Sequence, residues 1–118
     1  MPALGETGEE GFLAGLRRCG SEGEERNGVT LFSVVAFGGS HAGETVETGV
    51  SVEELAAWPS APPHWVHLPG NVTISHTNTQ PSPVPGWVMH SRNINGWGNA
   101  EEPAQAWLAH VRSVLEEP

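Results

Sequence analysis

The sequence predicts an α+β fold, and three observations carry that prediction. Residues 9–19, "EEGFLAGLRRC", place Phe12, Leu16 and Cys19 at helical spacing. Residues 29–37, "VTLFSVVAF", form a run of β-branched and aromatic residues, the composition of a strand. From Asn99 onward, Ala104, Trp107, Leu108, Val111 and Leu115 fall on one helical stripe. Helix, antiparallel strands, Pro-rich crossing and loop, then helix is the order expected of one α+β domain spanning residues 1–118, with residues 1–8 expected to be flexible.

Each element has its own local reasons. In the first helix Glu9 and Glu10 open the segment and Arg17 and Arg18 close it, which suits the helix dipole, and Gly20 ends it. Its two internal glycines, Gly11 and Gly15, work against it. After the strand at 29–37, "GGSHAG" turns the chain and "ETVETGVSVEEL", residues 44–55, alternates as a second, half-exposed strand. "WPSAPP", residues 58–63, is barred from helix and strand interiors and reads as an extended crossing. "HWVHLP" and "NVTISH" read as short strands about a Pro-Gly turn. Residues 81–97, "PSPVPGWVMHSRNINGW", hold three prolines and two glycines and read as a loop anchored by Trp87, Val88 and Trp97. The last helix starts at Asn99, whose pairing with Glu102 resembles a capping box, and Pro103 suits its first turn.

Composition bounds what the chain can do. Its net charge of −9 carries only five arginines and no lysine, so no basic face for nucleic acid or an anionic membrane can be assembled. A partner with a basic surface fits better. No stretch approaches the roughly 20 apolar residues that span a bilayer. The N-terminus "MPALGETGEE" is acidic where a signal peptide is basic, so the expected location is cytoplasmic. Cys19 is the single cysteine and there is no Asp, which removes disulfides, thiolate zinc sites and a Ser-His-Asp triad. Cys19 lies on the apolar stripe of the first helix, where packing is the default for a free thiol.

Six histidines raise the question of a metal. His64 and His67 are three apart on a strand and point to opposite faces, and His76 and His90 have no third ligand at fixed spacing, so neither a metal nor any cofactor is expected. That leaves the 81–97 loop, where Arg92 lies beside apolar residues and needs a carboxylate or carbonyl partner. His90 and Ser91, next to it, are either an exposed loop pair or a site.

The second half of the chain resembles the ubiquitin-conjugating (UBC) superfamily. That family runs Tyr-Pro-x-x-Pro-Pro, a strand, His-Pro-Asn, a loop whose catalytic Cys follows a Gly, a Trp, and a closing helix. Here Trp58-Pro59 and Pro62-Pro63 match the crossing, His76-Thr77-Asn78 is similar to His-Pro-Asn, Gly86 precedes the active segment, and Trp97 precedes the helix. The match covers roughly residues 29–118, with the first helix in its expected place. The "GWVMHSR…W" segment looks like the diverged prokaryotic branch found beside bacterial ubiquitin-like proteins and adenylating activating enzymes, and these are the partners the resemblance implies. The family's cysteine position falls near Met89, where no cysteine stands.

Two functions follow from the resemblance. In the preferred one, Ser91 replaces the thiol and carries the modifier as an oxyester, with His76 or His90 as base and Asn78 donating to the oxyanion. Of the two histidines, His76 is better placed, because adjacent residues of an extended chain diverge. Trp87, Met89 and Arg92 would then contact the bound partner. The absence of lysine suits a carrier, which has no side-chain amine to discharge its own ester. In the alternative the protein is an inactive variant that binds the ubiquitin-like protein or its activating enzyme non-covalently. A small ligand-binding domain with a Trp-lined pocket ranks last.

Overall fold

A computed structural model describes residues 7–72, 74, 78–92, 94, 97 and 101–116. Helix α1 (Gly8–Arg18) is followed by β1 (Glu24–Arg26), β2 (Val29–Val35), β3 (Thr45–Ser51), β4 (Trp65–Pro69), β5 (Thr79–Pro81) and β6 (Trp87–Ser91), and α2 (Pro103–Glu116) closes the described chain. The strands form one antiparallel sheet in the order β1-β2-β3-β4-β6-β5. The fold is α+β: an N-terminal helix, a six-stranded antiparallel sheet and a C-terminal helix.

Side-chain alternation divides the sheet into two faces. Phe32 and Val34 of β2, Val46 and Val50 of β3, and Val66 and Leu68 of β4 form the main core with Phe12 and Leu16 of α1 and Trp107, Leu108, Val111 and Leu115 of α2. On the other face Val29, Leu31 and Val84 form a second cluster, with Trp87 packed against it. The Pro-rich segment after β5 therefore covers that second face.

Packing explains the glycine that weakened the first helix. A Cβ on Gly15 would stand 2.7 Å from Cβ of Ala104 and 3.1 Å from a carboxylate oxygen of Glu102. The two helices cross there, and Arg18 holds Glu102 through two bonds of 2.6 and 3.1 Å across the same contact. Replacing Gly15 by Ala should gain about 1 kcal/mol of helix propensity and lose about 1–3 kcal/mol to overpacking. A net fall in thermal midpoint is the expected result, and a rise would show that the helices separate freely.

The crossing at 58–63 lies between β3 and β4, and its Trp58–Pro59 peptide is cis. Trp58 is buried against Phe12, with ring centroids 4.8 Å apart, and its carbonyl accepts the Gly8 N–H at 3.0 Å. This ties the start of α1 to the crossing, so Gly8 belongs to the helix and not to a flexible tail.

Four expectations change. The strand beginning in residues 44–55 stops at Ser51, and Glu54–Ala57 turn as a 3-10 helix. The 81–97 segment is not all loop: Gly86, at φ 82°, reverses the chain so that Trp87–Ser91 pairs with β4 on one side and β5 on the other. Its Trp-Val-Met-His sequence has the β-forming side chains that the flanking prolines obscured. Val72 and Ile74 are described but belong to no strand, and α2 begins at Pro103, while Asn99 lies outside the described residues. Among the described residues no helix is long and apolar enough to cross a membrane.

Candidate functional site: a serine–histidine pair at the end of β6

Ser91 is the last residue of β6, and its cross-strand partner on β4 is Trp65. His64 immediately precedes β4, so it lies beside the end of β6. Ser91 Oγ lies 2.5 Å from His64 Nε2. The two residues are 27 positions apart in sequence, and the pairing of β4 with β6 sets the end of one strand beside the start of the other.

His64 is held by its backbone from two sides. Glu54, from the 3-10 turn, accepts the N–H groups of His64 and Trp65 on its two carboxylate oxygens, at 2.7 and 3.3 Å. The carbonyl of His64 accepts the Arg92 N–H at 3.2 Å. The imidazole meets the Trp65 ring edge-on, with centroids 5.5 Å apart. With its backbone fixed on both sides, His64 presents Nε2 to Ser91 while its exposed side chain stays open to solvent. Among the described residues no carboxylate bonds to its Nδ1, so the arrangement is a dyad rather than a triad.

The structure distributes the residues expected at the site. Asn78 is exposed, and its carbonyl accepts the Ser91 N–H at 2.9 Å. Thr79 pairs with His90, so the register continued by one residue sets Asn78 beside Ser91 on the same face. The Ser91 N–H is thereby committed to the sheet, and an oxyanion formed at Ser91 needs a side-chain donor, which Asn78 is placed to supply. Met89 and Trp87 lie on the Ser91 face of β6, Met89 opposite His67 and Trp87 against the second apolar cluster.

His90 does not join Ser91. As the preceding residue in the strand it points to the opposite face, where it pairs with Val66 and is only 4% exposed. Burial, aided by the nearby Arg92 charge, holds its pKa below the usual imidazole range. Arg92 also stands close to His110 of α2, whose pKa is lowered chiefly by burial and then by that charge. Arg92 is thus turned toward the helix layer, and its backbone, not its guanidinium, borders the dyad. His76 lies outside the described residues. The imidazole beside Ser91 is that of His64, which the sequence suggests only as a solvent-facing or hydrogen-bonded strand residue.

A second serine–histidine contact is structural. His67 Nδ1 lies 2.8 Å from Ser82 Oγ, which also accepts the Val84 N–H at 3.2 Å. His67 is 1% exposed and burial lowers its pKa to about 4, so it stays neutral at ordinary pH. The ring ties the turn after β5 onto β4, and solvent has no access to it. Cys19 sits at the end of α1, partly buried against the core, and burial raises its pKa, which suits packing and not nucleophilic chemistry. Among the described residues no three His, Cys or acidic side chains converge as a metal site would require.

No protein-family model, no curated protein and no solved structure matches this chain. Its own atoms show a half-buried serine hydroxyl in hydrogen-bond contact with Nε2 of a backbone-anchored histidine.

Proposed function

We propose that this protein is a UBC-like component of a bacterial ubiquitin-like protein conjugation pathway, carrying the modifier's C-terminus as an oxyester on Ser91. The observation that carries this reading is the 2.5 Å contact between Ser91 Oγ and His64 Nε2. The element order supports it as well, since the Pro-rich crossing lies between β3 and β4 and a helix closes the chain, as in the UBC arrangement. A serine is a weak nucleophile until a base takes its proton, and His64 is in place to do so.

In the reaction the activating enzyme supplies the modifier as an activated acyl group. Ser91 Oγ attacks the carbonyl carbon while its proton passes to His64 Nε2. The Asn78 side-chain amide donates to the developing oxyanion. The leaving group departs with the proton from His64, and the modifier remains on Ser91. The acidic surface, at a net charge of −9, favours partners that present basic faces. With no lysine in the chain, a side-chain amine that takes the modifier comes from elsewhere.

Incubation with a bacterial ubiquitin-like protein, its activating enzyme and ATP should give an adduct that survives thiol reductant and is cleaved by hydroxylamine. Ser91→Ala should abolish it with the melting point unchanged, and Ser91→Cys should make it thiol-labile. His64→Gln should slow its formation about 10²-fold or more, the usual scale of general-base assistance. Binding without any adduct would replace this reading with the non-covalent one, in which the chain recognises the modifier or its activating enzyme but performs no transfer.

A further inference from the structure

We propose that the Ser91–His64 pair also hydrolyses the ester it forms, so that the protein is a slow acyl hydrolase acting on small, uncharged, activated esters and thioesters. The proposal shares its nucleophile and base with the carrier reading but needs neither modifier nor activating enzyme.

The argument starts from what happens to His64 after acylation. Once the leaving group has taken its proton, Nε2 is a free base again. It stands at the position Ser91 Oγ has just used, next to the new ester. A base that deprotonates serine there deprotonates water there equally well. His64 is exposed and Ser91 only half-buried, so water reaches both. A carrier that stored its ester would need to exclude water or withdraw the base, and the backbone bonds from Glu54 and Arg92 fix the His64 backbone beside the ester.

Both halves balance. In the first, the Ser91 O–H proton moves to His64 Nε2, the Oγ–acyl bond forms, the donor's C–O or C–S bond breaks, and the proton leaves with the alcohol or thiol. In the second, water gives a proton to His64 Nε2 and its oxygen bonds to the acyl carbon. The acyl–Oγ bond then breaks, and that proton returns to Ser91. The net reaction is ester or thioester plus water to acid plus alcohol or thiol, with no other reactant.

Substrate class follows from the surroundings. His64 is exposed and Ser91 only half-buried, so the dyad is open to solvent. Trp65, opposite Ser91, and Met89, two residues back along β6, flank it on the same face as an apolar shelf. Such a shelf takes a short acyl group and holds no long chain. The net charge of −9 repels polyanionic donors. With no third group bonded to the imidazole among the described residues, the donor must bring its own activation.

The test uses p-nitrophenyl acetate and S-phenyl thioacetate with the full chain, following product release and, by mass spectrometry, acetyl on Ser91. A burst stoichiometric with protein, followed by steady turnover, is expected with both. Ser91→Ala should lose the burst and fall to the rate that free imidazole gives, and His64→Gln should slow both phases about 10²-fold or more at an unchanged melting point. Acetyl that accumulates on Ser91 without turnover would overturn hydrolysis while leaving the carrier reading intact. Turnover that survives Ser91→Ala, or the absence of acetyl-Ser91 in the folded protein, would overturn it as well. The modifier-adduct experiment then decides the carrier reading by itself.

Discussion

Trp107→Ala should be among the most damaging single substitutions in this protein, lowering stability by about 3–5 kcal/mol. Trp107 is completely buried in α2, in the cluster that joins the helix to Phe12 and Leu16 of α1 and to the β2–β4 face of the sheet. Truncation removes an indole from a close-packed site that cannot collapse around it without moving α2. For a domain whose total stability is of order 5–15 kcal/mol, that is a large fraction. The expected fall in thermal midpoint is on the order of 10–20 °C for a chain of this size. Trp97→Ala should cost less: its ring is only partly buried, tilted against Trp58 with centroids 5.3 Å apart, with its N–H donated to the Pro59 carbonyl at 2.8 Å. A Trp107→Ala protein that melts with its parent would mean that α2 is not docked on the sheet.

Acid should destabilise the fold well before its carboxylates titrate, and His67 should account for most of the effect. In the unfolded chain its imidazole titrates at the ordinary value near 6.5, whereas in the fold burial lowers it to about 4. Between those values the unfolded chain takes up a proton that the folded protein refuses. Stability from this group is therefore complete above about pH 6.5, falls as pH drops, and levels off below about pH 4. The full loss is about 3 kcal/mol, from the shift at 1.36 kcal/mol per unit. His90 and His110, both held below the usual imidazole range by burial, act in the same direction. Glu102 adds a loss at lower pH, because its bond to Arg18 depresses its pKa and is lost on protonation. Urea midpoints measured from pH 7 to pH 4 should fall steadily. His67→Leu should flatten most of that slope, since Ser82 still has the Val84 N–H as a partner. A slope unchanged in the variant would show that His67 is protonated in the folded state.

Much of the fold was legible in the sequence because it rests on local chemistry. Phe12 and Leu16 mark the buried stripe of α1, and Trp107, Leu108 and Val111 mark that of α2, because a helix with one apolar face has only one way to bury it. Residues 29–35 are strand-forming under any packing, and the prolines of 58–63 exclude regular structure wherever they stand. The alternation of a strand also separates His90 from Ser91 once both are placed in one. Whether they were in one was the harder question. The prolines and glycines of 81–97 argued for loop throughout, and β6 exists because β4 and β5 flank it and satisfy its backbone on both edges.

The site itself was a tertiary decision. Nothing local links His64 to Ser91 or Glu54 to His64, because the pairs depend on the end of β6 lying beside the start of β4 and on where the 3-10 turn ends. Register is a long-range property: a slip of one residue would turn Ser91 into the core and bring His90 to the surface. The sequence determined which residues could do chemistry, by lacking Asp, Lys and a second Cys. The pairing of β4 with β6 decided which histidine the serine meets, because only the sheet carries that information across 27 residues.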